Sequence, residues 1–357
     1  MITKRFDALT GVRALAASLV FVYHNRKYWR AQLHPEFLRL VNELHIGVSF
    51  FFVLSGFLLA YNYGSKNLNT ASSFGKYIAT RAARIFPLYW LILTAYYLDS
   101  KFGKMDFSFL TYSLLHGFSN ALNLKGIAQA WSLSVEFTFY LLLPFLCVLE
   151  RQRFRNLLLF LVFLFLFSWG MGELWHFANG NPKGYFYPLK FILGSTFPGR
   201  STEFLAGMIL AKILKETSPR FEKFWTFKYK TVLGFLGIFS VAYIIGLFQP
   251  DIFHHGTDHS FGWFLHAFVL PVFMVLALAG LISETTWIQR FFASKILILL
   301  GNASFTFYLI HISYVNIRLK WMYLAPDRNF VLLWMISILL YLTFEKPIYT
   351  AIRKLLG

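Results

Sequence analysis

The chain has 357 residues, of which 57% are hydrophobic and only 14% charged, with a formal net charge of +18 and a single cysteine. Its apolar residues recur in separate runs of membrane-spanning length, which excludes a water-soluble globule and points to an all-α, polytopic integral membrane protein. The lone Cys147 excludes an intrachain disulfide. The positive charge calls for no nucleic acid, because anionic headgroups of the cytoplasmic leaflet attract Lys and Arg beside the spans.

In chain order the runs predict about ten transmembrane helices, near residues 8–26, 46–63, 84–99, 131–149, 156–174, 200–214, 231–248, 262–282, 296–317 and 330–346. The first carries Arg13 and lacks a small-residue cleavage site, so it reads as a retained helix and not as a signal peptide. An even count puts both termini on one face, and the Lys/Arg bias makes that face cytoplasmic. The loop holding Lys212, Lys215, Arg220, Lys223, Lys228 and Lys230 is then internal, and the Asp251-to-Phe261 loop, without Lys or Arg, external.

Arg13 and His24 stand eleven residues apart in the first run. On a helix that spacing returns both side chains to one face, about 16 Å apart along the axis. Ionisable groups inside a membrane helix are costly and mark a functional site by default. Arg81 and Arg84, spaced i,i+3 at the start of the third predicted span, suit a phosphorylated ligand, because guanidinium offers forked donors to phosphate oxygens. Ordinary positive-inside anchoring is the competing reading. Glu136, in Trp131-Ser132-Leu133-Ser134-Val135-Glu136-Phe137, lies one turn into a span that should begin externally, where a carboxylate can orient an imidazole or a sugar hydroxyl, or form a structural ion pair. Arg200 and Glu203, also i,i+3, open the sixth span and either pair with each other or contact substrate. His311 reads equally as an interhelical or a catalytic histidine. Ser55-Gly56 suits close helix packing better than a nucleophile elbow. His254, His255 and His259 cluster with Asp251 and Asp258 but lack a metal-ligand spacing, so no metal is expected. Phosphate-binding and dinucleotide glycine patterns are absent too.

Seven strings, in order across nearly the whole chain, resemble the acyltransferase-3 family of bacterial integral-membrane O-acyltransferases. They are Phe6-Asp7-Ala8-Leu9 leading into Arg13 and His24; Gly47-Val48-Ser49-Phe50-Phe51-Phe52-Val53-Leu54-Ser55-Gly56-Phe57; Arg81-x-x-Arg84-Ile85-x-Pro87-x-Tyr89-Trp90; the Trp131-to-Phe137 string; Arg200-x-x-Glu203-Phe204-Leu205-x-Gly207; Ser304-Phe305-x-x-Tyr308-Leu309-x-His311; and Phe344-Glu345-Lys346-Pro347. Ser49 stands where many members have Asp, Phe137 where a second acid is common, and Ile312 and Ser313 where Pro is common.

The resemblance implies one transmembrane acyltransferase domain over residues 1–357 with no fused soluble domain. It further implies a bacterial inner-membrane setting, cytoplasmic acetyl-CoA as acyl donor, and a hydroxyl acceptor on an extracytoplasmic carbohydrate such as O-antigen, lipopolysaccharide or another surface polysaccharide. On that basis His24 acts as general base or acyl carrier, with Arg13 and Glu136 assisting. Arg81, Arg84 and Arg13 hold the donor, and Arg200, Glu203 and Asp7 shape the acceptor side. The competing function is a glycan or lipid transporter, which should show repeat symmetry, and none is found. A membrane-bound O-acyltransferase of the unrelated type would have a different motif order.

Overall fold

A computed structural model describes residues 6–29, 32–66, 68, 70–98, 108–180, 184–216, 221–251, 254–320 and 325–356; Arg220 of the basic loop lies outside them. Among the described residues the chain is helical and contains no strand; Ser119 and Tyr185 form an isolated antiparallel bridge. Among the described residues, five helical stretches are long and apolar enough to cross a membrane: Pro35–Tyr63, Ala128–Gln152, Phe154–Asn179, Ser260–Ser283 and Pro326–Leu356. Lys230–Gly246 and Lys295–Ile310 are apolar but shorter.

The other three predicted spans are helical as well: Asp7–His24, Ala71–Leu98 and Phe197–Lys215. None of them joins the five, so the count of ten crossings is not reproduced by length and hydropathy. Polarity is the reason. These are the helices that hold Asp7, Arg13 and His24, then Arg81 and Arg84, then Arg200 and Glu203, and each such polar group lowers the hydropathy of its own segment.

The chain divides into two compact units. One comprises Met1–Tyr61, Thr202–Tyr308 and Ala325–Ile338. Its core is drawn from single faces of several helices: Val12 and Ala16; Phe50, Val53 and Phe57; Ile238 and Ala242; Met274, Ala277 and Leu278, all fully buried. The three-and-four spacing makes each set one stripe. Lipid competes for apolar surface as well as a helix does, so tight packing holds such helices together. Gly56 and Gly207 show it: a Cβ on Gly56 would stand 2.2 Å from the Phe204 carbonyl oxygen, and one on Gly207 2.1 Å from that of Val53. The two backbones touch there, as expected for Ser55-Gly56. Phe307 and Trp334 stack with centroids 4.0 Å apart.

A polar clasp closes the same unit where Lys230–Gly246 begins. Glu284 accepts hydrogen bonds from the Lys230 and Thr231 amides at 2.7 and 3.1 Å and from the Thr231 hydroxyl at 2.6 Å, thereby capping the orphan donors of that helix. Burial pushes the Glu284 carboxyl up, but the Thr231 and Lys230 donors outweigh it and hold the group below the usual carboxylate range. Lys230, 1% exposed, has its ammonium 3.6 Å from Glu284 and donates to the carbonyls of Trp225 and Phe227. Within Ser260–Ser283 the backbone widens into a π turn over Leu265–Val269, which carries His266.

The second unit comprises Asn62–Ser201, Leu309–Leu324 and Leu339–Gly357. Its 28-residue helix Ala71–Leu98 starts about a dozen residues before the predicted span. The Thr70 hydroxyl accepts from the Ser73 amide at 3.1 Å and fixes that start. The segment from Ser108 to Ala130 is bound to helices by single polar contacts: Tyr89 Oη donates to the Thr111 carbonyl at 2.7 Å, Ser134 Oγ to Leu114 at 2.6 Å, and Gln129 Nε2 to Leu309 at 2.6 Å. His116 in this segment is fully buried, and burial pushes its imidazole down to about 4. Gly180, at φ +61°, ends the Phe154–Asn179 helix in the left-handed conformation that glycine adopts without strain.

Candidate functional site

The eight candidate residues fall into two groups, one in each unit. Asp7, Arg13, His24 and Glu203 belong to the first; Arg81, Arg84, Glu136 and Arg200 belong to the second. Each group has its own geometry.

In the first unit, Asp7 and His24 are the first and last residues of one 18-residue helix, with Arg13 between them. Asp7 thus stands at the positive end of the helix, where a carboxylate is favoured. The His24 Nδ1 lies 2.9 Å from the carbonyl oxygen of Val20, one turn back, and the ring meets Tyr23 edge-on at 4.7 Å. A proton on Nδ1 donated to that carbonyl makes Nε2 the basic nitrogen. Arg13 and His24 are both half-buried. Glu203 is 1% exposed, a carboxylate placed in the interior by the Phe197–Lys215 helix.

In the second unit the arginine pair departs from expectation. Because the helix begins at Ala71, Arg81 and Arg84 stand near its middle and not at its start. Arg81 is 9% exposed; its Nη2 donates to Tyr63 Oη at 3.4 Å and its guanidinium lies 5.5 Å from the Tyr63 ring centre. Arg84 is within electrostatic reach of Glu136, Tyr140, Glu345 and Tyr349. Glu136 accepts a 2.5 Å hydrogen bond from Tyr140 Oη, one turn further along Trp131–Gln152. Glu136, expected near an external surface, and Arg84, expected near a cytoplasmic one, therefore belong to one electrostatic cluster. Arg200 is 5% exposed; it donates to the Gly194 carbonyl at 3.2 Å and lies 5.8 Å from the Trp131 ring centre. His311 is fully buried, and its carbonyl accepts from Asn316 Nδ2.

Tyr63 and Tyr140 were not singled out by sequence. Tyr140 had a visible signal, the i,i+4 spacing from Glu136; Tyr63 had none, because its partner Arg81 is 18 residues away on another helix. A shallow pocket is lined by Tyr63, Lys66, Leu143, Pro144, Cys147 and Arg151, so that two cations flank the tyrosine that holds Arg81. The loop histidines do not gather as a run. His254 pairs with Asp251 at 2.9 Å, whereas His255 turns inward toward Glu43 and His45.

Comparison with known families places this helical chain. The acyltransferase-3 family model, described as an acyltransferase domain, matches residues 6–344, and the chain belongs to this family. Among curated proteins it is similar to the O-acetyltransferase OatA of Staphylococcus aureus, in strain NCTC 8325 / PS 47 and in strain COL alike, at 25% identity over 387 residues. Those alignments cover 98% of this chain but 58% of the relative, so the chain spans little more than half the length of the curated proteins it matches. No solved structure matches the chain.

Proposed function

We propose that the protein is a membrane O-acetyltransferase that takes an acetyl group from cytoplasmic acetyl-CoA and transfers it to a hydroxyl of an extracytoplasmic carbohydrate such as O-antigen, lipopolysaccharide or another surface polysaccharide, acting as one domain in the bacterial inner membrane with both termini cytoplasmic. The observation that carries the reading is the Asp7–His24 helix, which holds a guanidinium and an imidazole eleven residues apart in a chain of acyltransferase family.

In this reading Nε2 of His24 takes the proton of the acceptor hydroxyl as its oxygen attacks the thioester carbonyl; the C–S bond breaks and the CoA thiolate leaves. Positioned base catalysis of this kind contributes roughly 10²–10⁴-fold. Arg13 receives the inner end of the donor, while Asp7 belongs to the acceptor side. Arg81 and Arg84 bind donor phosphates, with Tyr63 orienting Arg81, and Glu136, held by Tyr140, assists His24 as orienting or second acid/base group. Lys66 and Arg151, beside the Tyr63 pocket, extend that basic surface. Arg200 and Glu203 shape the acceptor side.

The test uses purified protein in proteoliposomes sorted by orientation, with acetyl-CoA on one face and a membrane-impermeant glycan on the other. Labelled glycan should form only when donor and acceptor are on opposite faces. Acetylation confined to the donor's face refutes the through-membrane route, and glycan movement without acetylation makes the protein a transporter.

A further inference from the structure

We infer that Glu43, His45 and His255 form a binding site for one divalent transition-metal ion of the zinc class. All three belong to the first unit, and their candidate ligand atoms lie within 4.8 Å of one another. None of the roles assigned above uses them.

The carboxylate carries the argument. Glu43 is 0% exposed, and its two oxygens are treated differently. Oε1 accepts from the Gly256 amide at 2.7 Å and from Gln249 Nε2 at 2.6 Å, which fixes the group in place. Oε2 is buried with no hydrogen-bond partner and points to His45 Nδ1 at 3.6 Å. That separation is too long for a hydrogen bond. It is close to the edge of a tetrahedron of ligands around zinc, which bonds of 2.0–2.1 Å make about 3.3–3.4 Å. A buried anionic oxygen is costly unless a cation or a donor meets it. A divalent ion between the carboxylate and two imidazoles meets that demand with one charge centre.

The surroundings supply the outer contacts that ligand rings need. His266 stacks on His45 with centroids 5.7 Å apart and an 18° angle, and itself lies 3.2 Å from Ser49 Oγ. Tyr23 Oη lies 3.1 Å from His255 Nε2. Two histidines and one glutamate are a donor set that holds zinc with a coordination position left open. The chain order hides the site, because His255 lies more than 200 residues beyond Glu43.

The experiment uses full-length protein in detergent, purified with a tag that contains no histidine, stripped with chelator and titrated with Co²⁺. Wild type should take up about one equivalent with the visible absorption of a low-coordinate nitrogen–oxygen site, and Zn²⁺ should displace it. Glu43→Gln and His255→Ala should weaken Co²⁺ binding by roughly 100-fold or more, while His254→Ala, altering an exposed loop histidine, should bind as wild type does. The size-exclusion profile of each variant reports its folding. Wild-type protein that shows no cobalt absorption overturns the proposal without reference to any variant, as does unchanged affinity in well-folded Glu43→Gln and His255→Ala.

Discussion

Replacing Arg81 and Arg84 with Gln separates donor binding from chemistry. A charged hydrogen bond to phosphate is worth about 1.5–3 kcal/mol. Arg81 is 9% exposed, so solvent screens it little and the middle of that range applies. Loss of about 2 kcal/mol raises the apparent KM for acetyl-CoA roughly 30-fold for Arg81→Gln. Arg84→Gln should behave similarly, and the double variant should fall short of the product of the two because the side chains are neighbours on one helix face. Contacts held equally in the ground and transition states leave kcat alone. Arg81→Lys tests the fork: it keeps the charge but loses the planar donors facing Tyr63, and should lie between wild type and Gln. The assay is initial acetyl transfer against acetyl-CoA concentration in detergent. If kcat collapses while KM stays put, the arginines do not hold the donor and the reasoning fails.

His24→Ala should keep a normal melting profile, because the ring is half-buried at the end of its helix, yet lose roughly 10²-fold or more of kcat. Near-normal transfer by the folded variant would remove His24 from the chemistry. His116, with its pKa depressed from 6.5 to about 4, stabilises the fold fully above pH 6.5 and loses that contribution as pH falls toward 4. At pH 5 the loss is about 2 kcal/mol, and a His116→Phe protein should show a correspondingly flatter melting temperature between pH 7 and pH 5. Glu284, held below its usual range, contributes stability above the ordinary carboxylate pKa and loses it as pH falls through the folded value; Glu284→Gln should cost about 1.5–3 kcal/mol at neutral pH and little in acid, read by thermal denaturation.

Much of the helical layout was legible because membrane helices write their length in apolar residues, as Phe154–Asn179 and Ser260–Ser283 do. The start of Ala71–Leu98 was not, since Lys76, Arg81 and Arg84 interrupt the hydropathy, although Thr70 with Ser73 three residues on is a readable cap. The Arg13–His24 spacing was readable because it lies within one helix. The Arg84–Glu136 cluster was not, because two helices more than 50 residues apart in sequence supply it and topology alone assigned each a membrane depth. The Glu43–His45–His255 group was legible only in part: His255 was noted beside His254 and His259 in one loop, but Glu43 and His45 lie more than 200 residues earlier in sequence.

The π turn at Leu265–Val269 makes segment length itself part of the design. A π turn accommodates one residue beyond the regular helical count, and such turns recur at working positions in helices. Deleting any one residue there would restore ordinary helical bonding and cost little backbone stability. Because the five residues of the π turn advance the helix about as far as four residues of α-helix, the flanking segments would keep their phase, so the packing stripe of Met274, Ala277 and Leu278 would still face inward while the imidazole of His266, inside the turn, would be displaced. A single codon loss between Leu265 and Val269 should therefore leave a folded protein, read by thermal denaturation, whose one local change is the loss of the His266 approach to Ser49.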